Sequence, residues 1–226
     1  MAMAATAANA SVYTISTLSS WDGSTGIGSF GGSSGEATGV YGETFTAPDS
    51  TITSFTFEVD DQGSALNGVV GQVYAWSGSL TGGAPPQGAT GPALFTSAPF
   101  SISASGSYQA VTVDTGTTTL TAGDNYVILF ADTSNDATNA VFGDTQFTSP
   151  GVAYDGGFNF YNNNYTLASI NSNTWDDYDN FGSTAYTATF TSGVPEPAAW
   201  AMMLFGFAGL GAAIRARRKT SIAAAA

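Results

Sequence analysis

Between residues 11 and 193 no stretch of useful length repeats its apolar residues at helical spacing. The chain is cut instead into short β-rich runs by Gly, Pro, Asn, Asp and Ser. In Thr51–Val59, Phe55, Phe57 and Val59 fall on one face and Ser54, Thr56 and Glu58 on the other, which predicts a half-buried strand. Asn125–Ala131 is apolar on both faces and predicts a central strand covered on both sides. Further runs are expected at Ser11–Leu18, Val40–Ala47, Val69–Trp76, Tyr108–Val113, Ala140–Thr148, Gly151–Phe160, Thr166–Ile170 and Thr184–Thr191. Leu94–Ile102 contains Pro99, so it reads as an edge strand or two short ones. Trp21–Gly39 and Gly78–Pro92 read as long loops, rich in Gly and Ser and in Gly and Pro.

Short strands at this spacing predict an all-β domain over 11–193, an antiparallel Greek-key or jelly-roll β-sandwich. One motif sharpens that expectation. Leu120, Gly123 and Tyr126 have the spacing L-x-x-G-x-x-Y just ahead of the most apolar run. This resembles the tyrosine corner of Greek-key sandwiches, in which the Tyr hydroxyl bonds back to the chain across a tight arch.

Charge narrows the possible chemistry. Sixteen of the 17 acidic residues precede Pro195, and no Lys, Arg or His does. A body without cations cannot neutralise phosphates, so nucleic acid is excluded as a partner. Its carboxylates must rest on water, on backbone N–H groups or on metal ions. With no Cys and no His, thiol nucleophiles, disulfides, Ser-His-Asp triads and His-ligated zinc are absent. What remains is carboxylate chemistry. A glycosidase needs two carboxylates roughly 5–10 Å apart across a cleft. The sequence cannot pair the candidates, so a carboxylate glycosidase stays the third reading; small sandwiches are more often binding or structural modules, so the body reads as non-catalytic and needs no cofactor.

Two constellations offer binding. Asp176, Asp177 and Asp179 in NTWDDYDN are hard oxygen donors suited to Ca²⁺, although EF-hand spacing is not met. A solvated loop with Asx-turns is the alternative. Tyr74, Trp76, Trp175 and Tyr178 are planar side chains near polar residues, able to stack on sugar rings. Ordinary packing of amphipathic rings is the alternative there. A carbohydrate-binding module, calcium-dependent if the Asp cluster is filled, is therefore the second functional reading after a structural or adhesive one.

The termini carry addressing signals. Ala8-Asn9-Ala10 fits the small-x-small rule for signal peptidase, so residues 1–10 read as the remnant of a secretory signal, with Ser11 the first mature residue. The charged n-region is lacking, which makes Met1 read as an internal Met of a longer signal. At the other end, Ala198–Ile214 is 17 residues without a charge. As a helix it would extend about 25 Å, a short membrane span. Trp200 stands where an interfacial anchor belongs, and Arg215, Arg217, Arg218 and Lys219 follow at once. These four are the only basic residues, and the positive-inside rule keeps them cytoplasmic with the body outside. Residues 220–226 read as a disordered end.

VPEPAAWAMMLFGFAGLGAAIRARR resembles the PEP-CTERM sorting signal of Gram-negative bacteria over residues 194–219. Pro195, Glu196, Pro197, Trp200, Ala201, Met202, Met203 and Gly206 stand at the matching positions, with Arg215, Arg217 and Arg218 as the basic end. Ala216 interrupts the Arg run. The resemblance implies export, transient holding in the inner membrane and recognition by an exosortase that cuts near the PEP. It also implies release or transfer of the body to the cell surface or to an extracellular matrix rich in polysaccharide.

Overall fold

The computed structural model describes residues 11–31, 38–80, 87–133, 140–144, 157, 159–162, 167, 170–172, 174–177, 182–192, 203–208, 210–211 and 215. The chain divides into a compact body, Val12–Ser192, and a second unit of Met1–Ser11 with Gly193–Ala226. The expected signal remnant lies outside the described residues.

The body is all-β. Its strands are β1 (Val12–Ser16), β2 (Gly26–Phe30), β3 (Val40–Thr46), β4 (Thr51–Asp60), β5 (Leu66–Ser77), β6 (Gly88–Thr96), β7 (Phe100–Ile102), β8 (Gln109–Thr119), β9 (Asn125–Asp132), β10 (Ala140–Gly143), β11 (Asn159–Asn162), β12 (Asp176–Asp177) and β13 (Tyr186–Thr191). They form two antiparallel sheets. The first runs β1-β13-β4-β10-β2, with β8 on the other edge of β4. The second runs β12-β11-β3-β9-β5-β6, with β7 also on β5. Successive strands often change sheet: β3 lies in the second, β4 in the first and β5 in the second again.

The alternation in β4 acts as expected. Phe55, Phe57 and Val59 are fully buried between the sheets while Ser54, Thr56 and Glu58 are half-buried. Phe57 and Phe142 of the first sheet meet Phe130 of the second edge to face, Phe57 at 5.0 Å and Phe142 at 5.8 Å. Each such ring removed from water contributes roughly 1.5–3 kcal/mol. Strand β9 is buried on both faces. Tyr126, Ile128 and Phe130 enter the main core. Val127, Leu129 and Ala131 enter a second cluster with Val40, Trp76, Phe160, Ile170 and Trp175. Alternation along β9 places that cluster on the opposite face of the second sheet from the sandwich interior.

The arch before β9 has the expected corner. The Thr121 N–H donates to the Tyr126 hydroxyl at 2.8 Å, and Leu120 is buried beneath. Gly123 takes φ +89°, a left-handed conformation, and its N–H donates to Ala47 O.

Several expectations are corrected. Trp21–Gly39 is not all loop: Gly26–Phe30 forms β2, whose Ile27 and Phe30 enter the core. The loop expected to run to Pro92 ends earlier, because β6 begins at Gly88. Pro92 is tolerated there because β6 ends its sheet's order and the register shifts across this segment. Leu94–Ile102, by contrast, divides as one of its two expectations had it, between β6 and β7 with Pro99 between them. Within Thr166–Ile170, Leu167 and Ile170 lie in turns rather than a strand, and the others lie outside the described residues.

In the second unit, residues 203–208, 210, 211 and 215 are helical. Met203, Leu204, Phe205, Phe207 and Leu210 are exposed. Among the described residues no helix is long and apolar enough to cross a membrane. The rest of the span expected at 198–214 lies outside them.

Candidate functional site

Tyr74 and Trp76 sit on β5, and Trp175 immediately precedes β12. The fold brings the two indoles together edge to face at 5.7 Å, and Trp76 lies 4.5 Å from the ring of Phe160. Trp175 is fully buried, and Tyr74 and Trp76 are only 4% and 6% exposed. The Trp175 indole N–H donates to Ile170 O at 3.1 Å, and its backbone N–H to Gln87 O at 2.9 Å. The expected stacking face is thus corrected for these three residues: their rings pack the second apolar cluster. Tyr178 lies outside the described residues.

Asp176 and Asp177 form β12, antiparallel to Tyr161 and Phe160 of β11. Asp176 is exposed, and Asp179 lies outside the described residues. Among the described residues no group of three or more acidic, His or Cys side chains is placed to hold a metal.

The sequence reading missed a different polar cluster, inside the sandwich. Glu43 alternates with Tyr41 and Phe45 along β3, so its side chain joins theirs on the core face. It is fully buried. Its Oε2 accepts from the Thr184 N–H at 2.8 Å and the Thr184 hydroxyl at 3.0 Å, while Oε1 has no partner among the described residues. Asn159 of β11 lies directly opposite Glu43, so the two side chains share one face. Asn159 is fully buried, with neither amide atom bonded among the described residues.

Asp144 completes the cluster from the first sheet. It follows β10 and bridges Thr184, just ahead of β13. Residues directly opposite in an antiparallel bridge project to the same side. The Thr184 hydroxyl reaches Glu43, so Asp144 projects that way too. Asp144 is fully buried, and among the described residues neither carboxylate oxygen completes a hydrogen bond. Gly157 closes this corner: a Cβ there would collide with the Thr44 carbonyl and lie 3.2 Å from Glu43 Oε1.

Burial raises both carboxyls well above the ordinary carboxylate range. For Glu43 the Thr184 donors and the Ser183 hydroxyl oppose that rise, and the charge of Asp144 adds to it. For Asp144 burial is opposed in part by the Gly182 amide. Glu43 carried a signal in the sequence, since its spacing from Tyr41 and Phe45 puts it on an apolar face. Asp144 and Asn159 carried none, because residues far apart in the chain bring them to it.

Of the tail residues singled out, Met203, Gly206 and Arg215 are helical, and Met203 is half exposed. Pro195, Glu196, Pro197, Trp200, Ala201, Met202, Arg217 and Arg218 lie outside the described residues. Residues 193–219 match the PEP-CTERM protein-sorting motif. The chain therefore carries that motif behind its β-sandwich. The motif implies recognition by exosortase, with export and membrane-associated sorting in Gram-negative bacteria. No curated protein and no solved structure matches the chain.

Proposed function

We propose that this protein is an exosortase-processed surface or matrix component whose β-sandwich has a structural or adhesive, non-catalytic role. The observation that carries the reading is the sorting motif at 193–219, directly after a compact body ending at Ser192. Exosortase and the inner membrane are its partners during sorting, and the polymers of the extracellular matrix afterwards. Glu43 and Asp144 are closed off from solvent, so these two do not serve as a glycosidase pair, which requires carboxylates facing an open cleft.

The sorting half is tested by following the chain in Gram-negative cells with and without an exosortase. The expected result is a shortened body outside the inner membrane, and a full-length form held there when Pro195, Glu196 and Pro197 are all replaced by Ala. Equal distribution in exosortase-free cells would sink the sorting reading. The role of the body is tested by deleting the gene and measuring surface attachment and matrix cohesion. Unchanged attachment and cohesion, or reducing sugar released from matrix polymer by the purified body, would refute it.

A further inference from the structure

Glu43 and Asp144 pose a problem of charge balance. Both are fully buried, and no Lys, Arg or His precedes Arg215 in the sequence. Burying a carboxylate without a counter-charge is costly, and buried charges are normally paired or bound to metal. Thr184 satisfies one oxygen of Glu43. Among the described residues Glu43 Oε1 and the side-chain oxygen of Asn159 have no bond, and Asp144 has only the approach of the Gly182 N–H, which completes a hydrogen bond to neither oxygen. Asn159 is the independent sign of a missing ligand: a fully buried amide, projected to the same face as Glu43, with neither polar atom partnered.

We propose that Glu43, Asp144 and Asn159 form an internal site for a hard divalent cation of the calcium type, held between the two sheets. An amide NH₂ does not ligate metal, so the unbonded atoms able to do so are all oxygens, which suits Ca²⁺ and disfavours metals that select nitrogen or sulfur. Ca²⁺ accepts irregular oxygen coordination, whereas Mg²⁺ demands near-ideal octahedral geometry and keeps several waters. A 2+ ion cancels the two carboxylate charges. Glu43 and Asn159 belong to the second sheet and Asp144 extends the first, so the ion ties one sheet to the other. This site is separate from Asp176, which is exposed on β12.

The test uses the full chain, stripped with EDTA and dialysed, then given CaCl₂ or NaCl at matched ionic strength. Bound metal is counted by elemental analysis, and thermal unfolding is followed by circular dichroism. At a hundredfold excess over Kd, calcium is expected to raise the melting temperature by about 5–10 °C. Glu43→Gln and Asp144→Asn are expected each to abolish that rise and lower bound calcium by one ion per chain, while Asp176→Asn keeps both. Glu43→Gln removes a buried charge but keeps an oxygen for the Thr184 donors. It is therefore expected to melt, without calcium, no lower than the stripped parent, which separates a lost site from a lost fold. The proposal is overturned if the parent binds no calcium, if NaCl reproduces the rise, or if Glu43→Gln and Asp144→Asn respond as the parent does. A parent indifferent to calcium but stabilised by lowering the pH from 8 to 6 would assign the balancing charge to protons and overturn it equally.

Discussion

Replacing Trp175 by Ala separates two uses of an aromatic ring. If the indole packs an interior, its loss should unfold; if it faces solvent to stack on sugars, stability should barely move. The side chain is fully buried, touches Trp76 edge to face and donates to Ile170 O. Truncating a buried Trp costs about 3–5 kcal/mol through lost transfer energy and the cavity left behind. The orphaned Ile170 carbonyl adds about 1 kcal/mol. In a domain of this size each kcal/mol corresponds to about 2–4 °C, so the melting temperature should fall by roughly 8–24 °C. Trp175→Phe keeps a ring against Trp76 and loses the indole N–H and part of the area, so it should cost about 1–3 kcal/mol. Tyr13→Ala supplies the control: Tyr13 is 53% exposed on β1 and should change stability by less than about 0.5 kcal/mol. Urea denaturation gives all three values, with the slope checked for constancy between variants. A Trp175→Ala variant within about 0.5 kcal/mol of the parent would refute the packing argument and return the ring to solvent.

Two further outcomes follow from the turns. Tyr126→Phe removes the acceptor for the Thr121 N–H and should cost about 1–2 kcal/mol by urea denaturation, whereas an unchanged midpoint would mean that the corner bond adds no net stability. Asp61 is buried: Oδ1 accepts from the Gly63 and Gly106 N–H groups and Oδ2 from the Ser105 N–H and Gln109 Nε2. Burial alone would raise its carboxyl, but the backbone donors of Gly106, Ser105 and Gly63 together hold it below its ordinary value. A depressed pKa stabilises fully above the unfolded value, about 3.9, and that contribution is lost as pH falls through the folded one. Asp61→Asn should therefore cost about 2–3 kcal/mol at pH 7, and its gap from the parent should narrow below pH 4. A gap independent of pH would show that the charge is not what the turn uses.

The strands were legible wherever one face repeats. Phe55, Phe57 and Val59 announce β4, and the continuous apolar run of β9 announces two covered faces. Leu120, Gly123 and Tyr126 announce the arch because their spacing is local. Strand β2 was hidden because GIGSF offers only Ile27 and Phe30 among small residues. Its place depends on β10, more than a hundred residues away. Trp76, at the end of a strand run, and Trp175, among polar residues, looked free to stack on sugars for the same reason: what buries them is each other and Phe160, which no local window contains. The polar interior was half legible. Alternation places Glu43 inward, but a carboxylate is ordinarily read as solvated, and its companions arrive only through the sheet register.

The pairing of β1 with β13 sets an order of events during export. Val12 lies opposite Thr191, so the first strand of the body cannot be seated until the last one is made. Long-range pairing of this kind folds slowly, since the intervening chain must be gathered before any contact rewards it. In a chain threaded across a membrane with its N-terminus first, Val12 emerges unpaired and waits. The sorting motif begins at residue 193, two positions after Thr191. The moment at which the sheet can close is therefore also the moment at which the address begins to emerge. On the proposed sorting route, a pause of the tail at the membrane would give the body time to fold before exosortase acts on it.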